Sequence, residues 1–179
     1  MKRYIYLSLC CLWASLSMHA ASYSGTLPVL HIQTENNAPI VSKDDYINAT
    51  YYLDAMGQDN IESIGSATAP LTMEIKGRGN YTWKGFDKKP YRLKLTDKQP
   101  LLGITKSKHF ALLAHADDSK GFMRNAIGFE LARLIGMTWT PMALPVEVVL
   151  NGDYIGLYFL TETIRVDKDR VNIVEQEDE

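Results

Sequence analysis

A chain of 179 residues, 46% hydrophobic and 22% charged, has the composition of one ordinary globular domain and leaves little room for a two-lobed enzyme. Its formal net charge of −2 leaves no electrostatic footprint for nucleic acid. Ten tyrosines and three tryptophans serve sheets and cores as readily as ligand contacts.

The first segment reads as a secretory signal, residues 1–21. Lys2 and Arg3 precede an apolar run from Tyr4 to Met18, and the small residues Ala20 and Ala21 follow. The run is short and broken by serines, so a retained anchor is the alternative, and no membrane span is expected after cleavage. Cys10 and Cys11 leave with the segment, and Leu9 sits where a lipidation site wants a small residue. The exported chain, destined for periplasm, cell surface or medium, then has no thiol chemistry.

Residues 22–64 read as a strand and loop region. Pro28 to Gln33 and Tyr46 to Leu53 are strands, separated by the turn-rich Glu35 to Pro39. Asp54 to Pro70 is loop-like. Residues 65–179 then form the main domain. In Leu71 to Lys76, Leu71, Met73 and Ile75 alternate with Thr72, Glu74 and Lys76, the period of a half-buried strand. Gly77, Arg78, Gly79 and Asn80 make a turn expected to leave backbone N–H groups bare. After an aromatic loop around Tyr81 and Trp83, Tyr91, Leu93 and Leu95 alternate with Arg92 and Lys94, giving a strand with one cationic face. Cations beside a glycine turn suit a phosphate. Spacing alone favours an ordinary hairpin turn: no helix follows the glycines as a dinucleotide fold requires, and no Gly-Lys-Ser/Thr completes a Walker loop.

Phe110 to Leu113 is apolar on both faces and fits a central strand. Asp117, Asp118 and Ser119 offer N-cap chemistry for a helix over about 119–135 ending at Gly136, with Met123, Ile127, Leu131 and Leu134 as its apolar stripe. Val146 to Leu150 and Tyr154 to Thr161 flank Asn151-Gly152, a strong hairpin signal. Arg170 to Val174 alternates weakly as a last strand. His31, His109 and His115 have no metal-ligand spacing and read as structural, and no metal site is expected within the chain. Strand hairpins with one main helix make the fold class α+β.

The runs RGNYTW at 78–83, KKPYRLKL at 88–95, LLGI at 101–104, FALLAHADDSKGFMRNAIGFELARLIG at 110–136 and VEVVLNGDYIGLYFLTETI at 146–164 resemble a CotH-type kinase domain, a family named after a bacterial spore-coat protein. The resemblance spans roughly Gly65 to Glu175. It implies the antiparallel-sheet-rich N-lobe of an atypical protein-kinase-like fold. It also implies ATP-dependent phosphorylation of a protein serine or threonine, with Mg²⁺ or another divalent ion. The nucleotide-binding candidates it implies are Gly77, Arg78, Gly79, Asn80, Lys89, Arg92, Lys94, Glu130 and Glu162. Lys94 would meet Glu130 as a kinase strand lysine meets a helix glutamate, and Glu162 would border the nucleobase. Lys89, Arg92 and Arg78 compete with Lys94 for the phosphate role. The family's metal-binding and catalytic acids fall beyond the equivalent of Val174, and Glu175, Glu177, Asp178 and Glu179 form only a loose acidic tail. The expectation is therefore either a truncated kinase-like protein or a non-catalytic exported surface module that contacts a protein or glycan through the loop around Tyr81 and Trp83.

Overall fold

The computed structural model describes residues 25–118 and 121–174. The expected signal segment with its cysteines, the cap residue Ser119 and the acids from Glu175 onward lie outside the described residues. Among the described residues, seven strands carry the fold: β1 (Val29–Thr34), β2 (Ile47–Asp54), β3 (Leu71–Gly77), β4 (Tyr91–Gln99), β5 (Ser107–Leu113), β6 (Ala143–Leu150) and β7 (Asp153–Glu162). Two helices join them, the short α1 (Tyr81–Gly85) and α2 (Arg124–Leu134), with 3₁₀ turns at Glu35–Asn37 and Leu101–Gly103.

β2, β3 and β4 each hide their apolar set on one side. Met73 pairs with Leu95 and Ile75 with Leu93, all four buried, while the alternate pairs Glu74–Lys94 and Lys76–Arg92 point outward. A slip of one residue would invert every one of these side chains, so burial fixes the register. Phe110, Ala111 and Leu112 of β5 are buried together, as a strand covered on both faces requires. Asn151-Gly152 turns β6 into β7, with both residues at positive φ.

The sheet order β1-β2-β3-β4-β5-β7-β6 closes into a barrel. Closure comes from β1 and β6, which pair in parallel with Leu30 opposite Val148, whereas the other neighbours are antiparallel. This corrects the expected α+β class and the antiparallel-sheet-rich kinase N-lobe: the strands form a closed, mixed barrel. An open sheet would leave the N–H and C=O groups of β1 and β6 unpaired at two edges, and their mutual pairing removes both edges. Leu101, Leu102 and Ile104 join the barrel core from the turn after β4. Each such buried aliphatic side chain contributes about 1.5–3 kcal/mol relative to exposure.

The main helix differs from expectation too. It begins at Arg124 rather than near residue 119, and Gly136 ends it at φ +82 as foreseen. Asp118 still serves its first turn, accepting the Arg124 backbone N–H at 3.3 Å. The stripe of Met123, Ile127, Leu131 and Leu134 is not the core face: these residues are 48–75% exposed. The strands fill their own interior, which leaves α2 outside the barrel beside β6. The expected strand at Arg170 to Val174 reduces to a single bridge between Val166 and Val171. No described helix is long and apolar enough to cross a membrane.

Candidate functional site

The β3–β4 connection gathers cations on the outer surface of the barrel. Lys43, Asp44, Lys76, Gly77, Arg78, Gly79, Asn80 and Arg92 line one cavity of about 280 Å³. Lys76 and Arg92 are cross-strand partners. Side chains directly opposite on antiparallel strands lie roughly 4.5–5.5 Å apart at Cβ, and like charges there oppose folding. The next outward pair, Glu74 and Lys94, has the reverse character: their charges meet at 2.6 Å. So one rung of the ladder is neutralised and its neighbour is not. None of Lys43, Lys76, Arg78 and Arg92 lies in an ion pair among the described residues. Partial burial, and then the nearby Arg92 charge, lower the proton affinity of the Arg78 guanidinium below its ordinary value. A guanidinium remains charged regardless. Concentrated positive charge of this kind is what an anion site requires.

The glycines shape this turn for a different reason than expected. The Gly77 N–H donates to Ser42 O at 2.9 Å, and the Arg78 N–H to Pro90 O at 3.1 Å, so these two groups are already used and are not bare. A β-carbon at Gly77 would lie 2.4 Å from the Trp83 ring, and one at Gly79, at φ +83, would lie 2.5 Å from Thr82 Oγ1. The missing side chains let α1 fold back so that Trp83 packs against the core. Side-chain cations, rather than these two amides, are the groups left for a ligand.

The remaining predicted residues are distributed elsewhere. Lys89 donates to Trp83 O at 2.7 Å and lies 5.5 Å from that ring. Lys94 and Glu130 do not pair. Lys94 holds Glu74, whose hydrogen bond and charge raise the lysine's pKa, while Glu130 accepts from Arg133 Nε and Nη2 at 2.9 and 2.7 Å. The physical reason is local: Glu74 is directly opposite Lys94 in the sheet, and Arg133 is one turn from Glu130 on α2. Glu162 is buried and ion-paired with Arg170 at 3.1 Å, and it also accepts the Met142 N–H at 3.2 Å. Asp117 and Asp118 follow buried His115 and their charges act on it, but its own pKa is held down mainly by burial. Among the described residues, no group of three or more His, Cys, Asp or Glu side chains is arranged to hold a metal ion.

Sequence reasoning missed Lys43 and Lys76. Lys76 had a signal, since it occupies a polar position of β3 next to the glycine turn. Lys43 had none, because it arrives from the β1–β2 loop.

A family model described as CotH kinase protein matches residues 75–179. The chain belongs to the CotH family. The match begins inside β3 and takes in Arg78, Asn80 and Arg92, while β1, β2 and the loop carrying Lys43 precede it. No curated protein matches the chain.

Proposed function

We infer that this CotH-family chain is kinase-like and that its β3–β4 turn holds the phosphate groups of a nucleotide. One observation carries the reading: Lys76 and Arg92 face each other across the ladder with Arg78 beside them, and none of the three lies in an ion pair among the described residues, although Asp44 shares the cavity wall. An anion bound there relieves that repulsion, and phosphoryl transfer depends mainly on positioning and charge compensation. Family membership supports ATP as the nucleotide and a protein serine or threonine as the acceptor. The described residues fit a nucleotide's phosphates. They do not supply a carboxylate set for Mg²⁺, so no step is assigned to the metal. Nucleotide binding is therefore assigned to the described residues, and no transfer step is assigned to them.

Thermal melting of the full chain with ATP, alongside labelled ATP with Mg²⁺ or Mn²⁺ and a serine-rich acceptor, tests this. A melting shift without label transfer is expected. Transfer that Arg92→Ala abolishes would mean that the chain carries a complete catalytic set.

A second reading, a non-catalytic exported binding module, draws on the separate pairings of Lys94 and Glu130 and on the exposure of Tyr81. This ring is 71% exposed at the tip of α1 and meets Phe86 edge-on at 5.4 Å. Such a ring suits contact with a protein or glycan. Absence of any nucleotide-dependent melting shift would select this reading.

A further inference from the structure

We propose that the β1–β2 loop, through Lys43, makes the cationic turn selective for linked phosphates over a single phosphate. This rests on the reading of that turn as a phosphate site and adds its selectivity. The loop is fastened to the turn at three points. Ser42 O accepts the Gly77 N–H at 2.9 Å, Asp44 O accepts from Lys76 Nζ at 3.0 Å, and Asn80 Oδ1 accepts from Lys43 Nζ at 3.0 Å. Within the loop, Ser42 Oγ accepts the N–H groups of Asp44 and Asp45 at 3.0 and 3.1 Å, which fixes its bend. The Tyr46 ring lies 4.4 Å from the Lys76 ammonium, a further tie between loop and strand.

These contacts hold Lys43 on the cavity wall with limited freedom. An ammonium has three donors. Asn80 takes one from Lys43, and two remain. Lys76, Arg78 and Arg92 come from the strands and turn, and Lys43 comes from a separate element that also brings Asp44, so the cavity draws positive charge from two elements and four cations outnumber one carboxylate. At about 280 Å³ it is roughly nine times the ~30 Å³ share of one water, room for more than one phosphate. A single phosphate is satisfied by the guanidinium side. A second or third, joined through bridging oxygens, reaches the loop-side ammonium. The loop precedes residue 75, where the family match begins, so this selectivity belongs to this chain's own N-terminal region. Asn80 acts as a positioning residue, through Lys43.

The test is calorimetric titration of the full chain with inorganic phosphate, pyrophosphate and tripolyphosphate. Lys43→Ala is expected to weaken pyrophosphate and tripolyphosphate about tenfold more than it weakens phosphate, the scale of one charge-assisted contact. Lys43→Arg is expected to restore most of the difference, and Asn80→Ala to reproduce part of the loss. Equal weakening of all three anions, or of none, overturns the selectivity while leaving the phosphate site in place. Failure of the unaltered chain to bind any of them overturns the site itself.

Discussion

Arg170 donates to Glu162 across 3.1 Å, and their side chains are only 2% and 4% exposed. The pair joins the end of β7 to the turn that follows it. Glu162 also holds the Met142 N–H, and Arg170 also reaches Thr105 O at 3.2 Å. Four chain segments therefore converge on two charges. Removing one partner of a buried pair strands the other, at a cost of about 3–5 kcal/mol. Arg170→Ala is expected to lower stability on that scale in urea unfolding, and Glu162→Gln by less, because the amide still accepts a hydrogen bond. A change below about 1 kcal/mol for Arg170→Ala would mean that water already reaches the site.

Lys94 and Glu130 are expected to act independently. In a thermal-unfolding cycle, Lys94→Ala and Glu130→Gln should add, whereas Lys94→Ala and Glu74→Gln should couple, and more strongly at low salt. Coupling between Lys94 and Glu130 would place them together in a way these pairings do not.

Much of the barrel was legible in the sequence. Alternation located β3 and β4, the doubly apolar run located β5, and Asn151-Gly152 located the β6–β7 turn, since each signal is local. Closure was not legible. It depends on contacts such as Thr34 with Asn151, 117 positions apart, and alternation names a strand's faces without naming its neighbour. The stripe on α2 failed for a related reason: periodicity shows that a helix has an apolar side, not that a core remains for it to cover. In the site, Arg78, Asn80 and Arg92 were legible because one hairpin carries them all. Lys43 was not, because only the folded loop brings it there.

Stability should fall with acid. Burial, as the leading cause, holds His31, His109 and His115 below the ordinary 6.5. For His115, Asp118 and Asp117 oppose the shift, while Lys88 and Arg124 add to it. A depressed folded pKa means that the unfolded chain takes up the proton first. The contribution is therefore full above about 6.5 and is lost as pH falls through the folded values. Melting temperature should hold between pH 7 and 8 and drop below about pH 6.5, with a shallower drop in His115→Gln. A melting temperature that rises on acidification would contradict this sign.

We propose that the chain is exported and cleaved to begin near Ala21 or Ser22, given Lys2, Arg3 and the apolar run after them. Intact-mass measurement of protein from the cell envelope checks it. Recovery of chains starting at Met1 would favour a retained anchor.

The central claim is that unneutralised cations at the β3–β4 turn bind nucleotide phosphate. Isothermal titration of ATP into the full chain, the Arg92→Ala variant and the Arg78→Ala/Arg92→Ala double variant measures this most directly. The expected result is saturable binding that weakens with added salt, falls about tenfold or more in Arg92→Ala and is lost in the double variant, with melting curves showing that both variants remain folded. Saturable ATP binding that survives the double substitution would place the nucleotide elsewhere, and no binding heat in the unaltered chain would remove the nucleotide altogether.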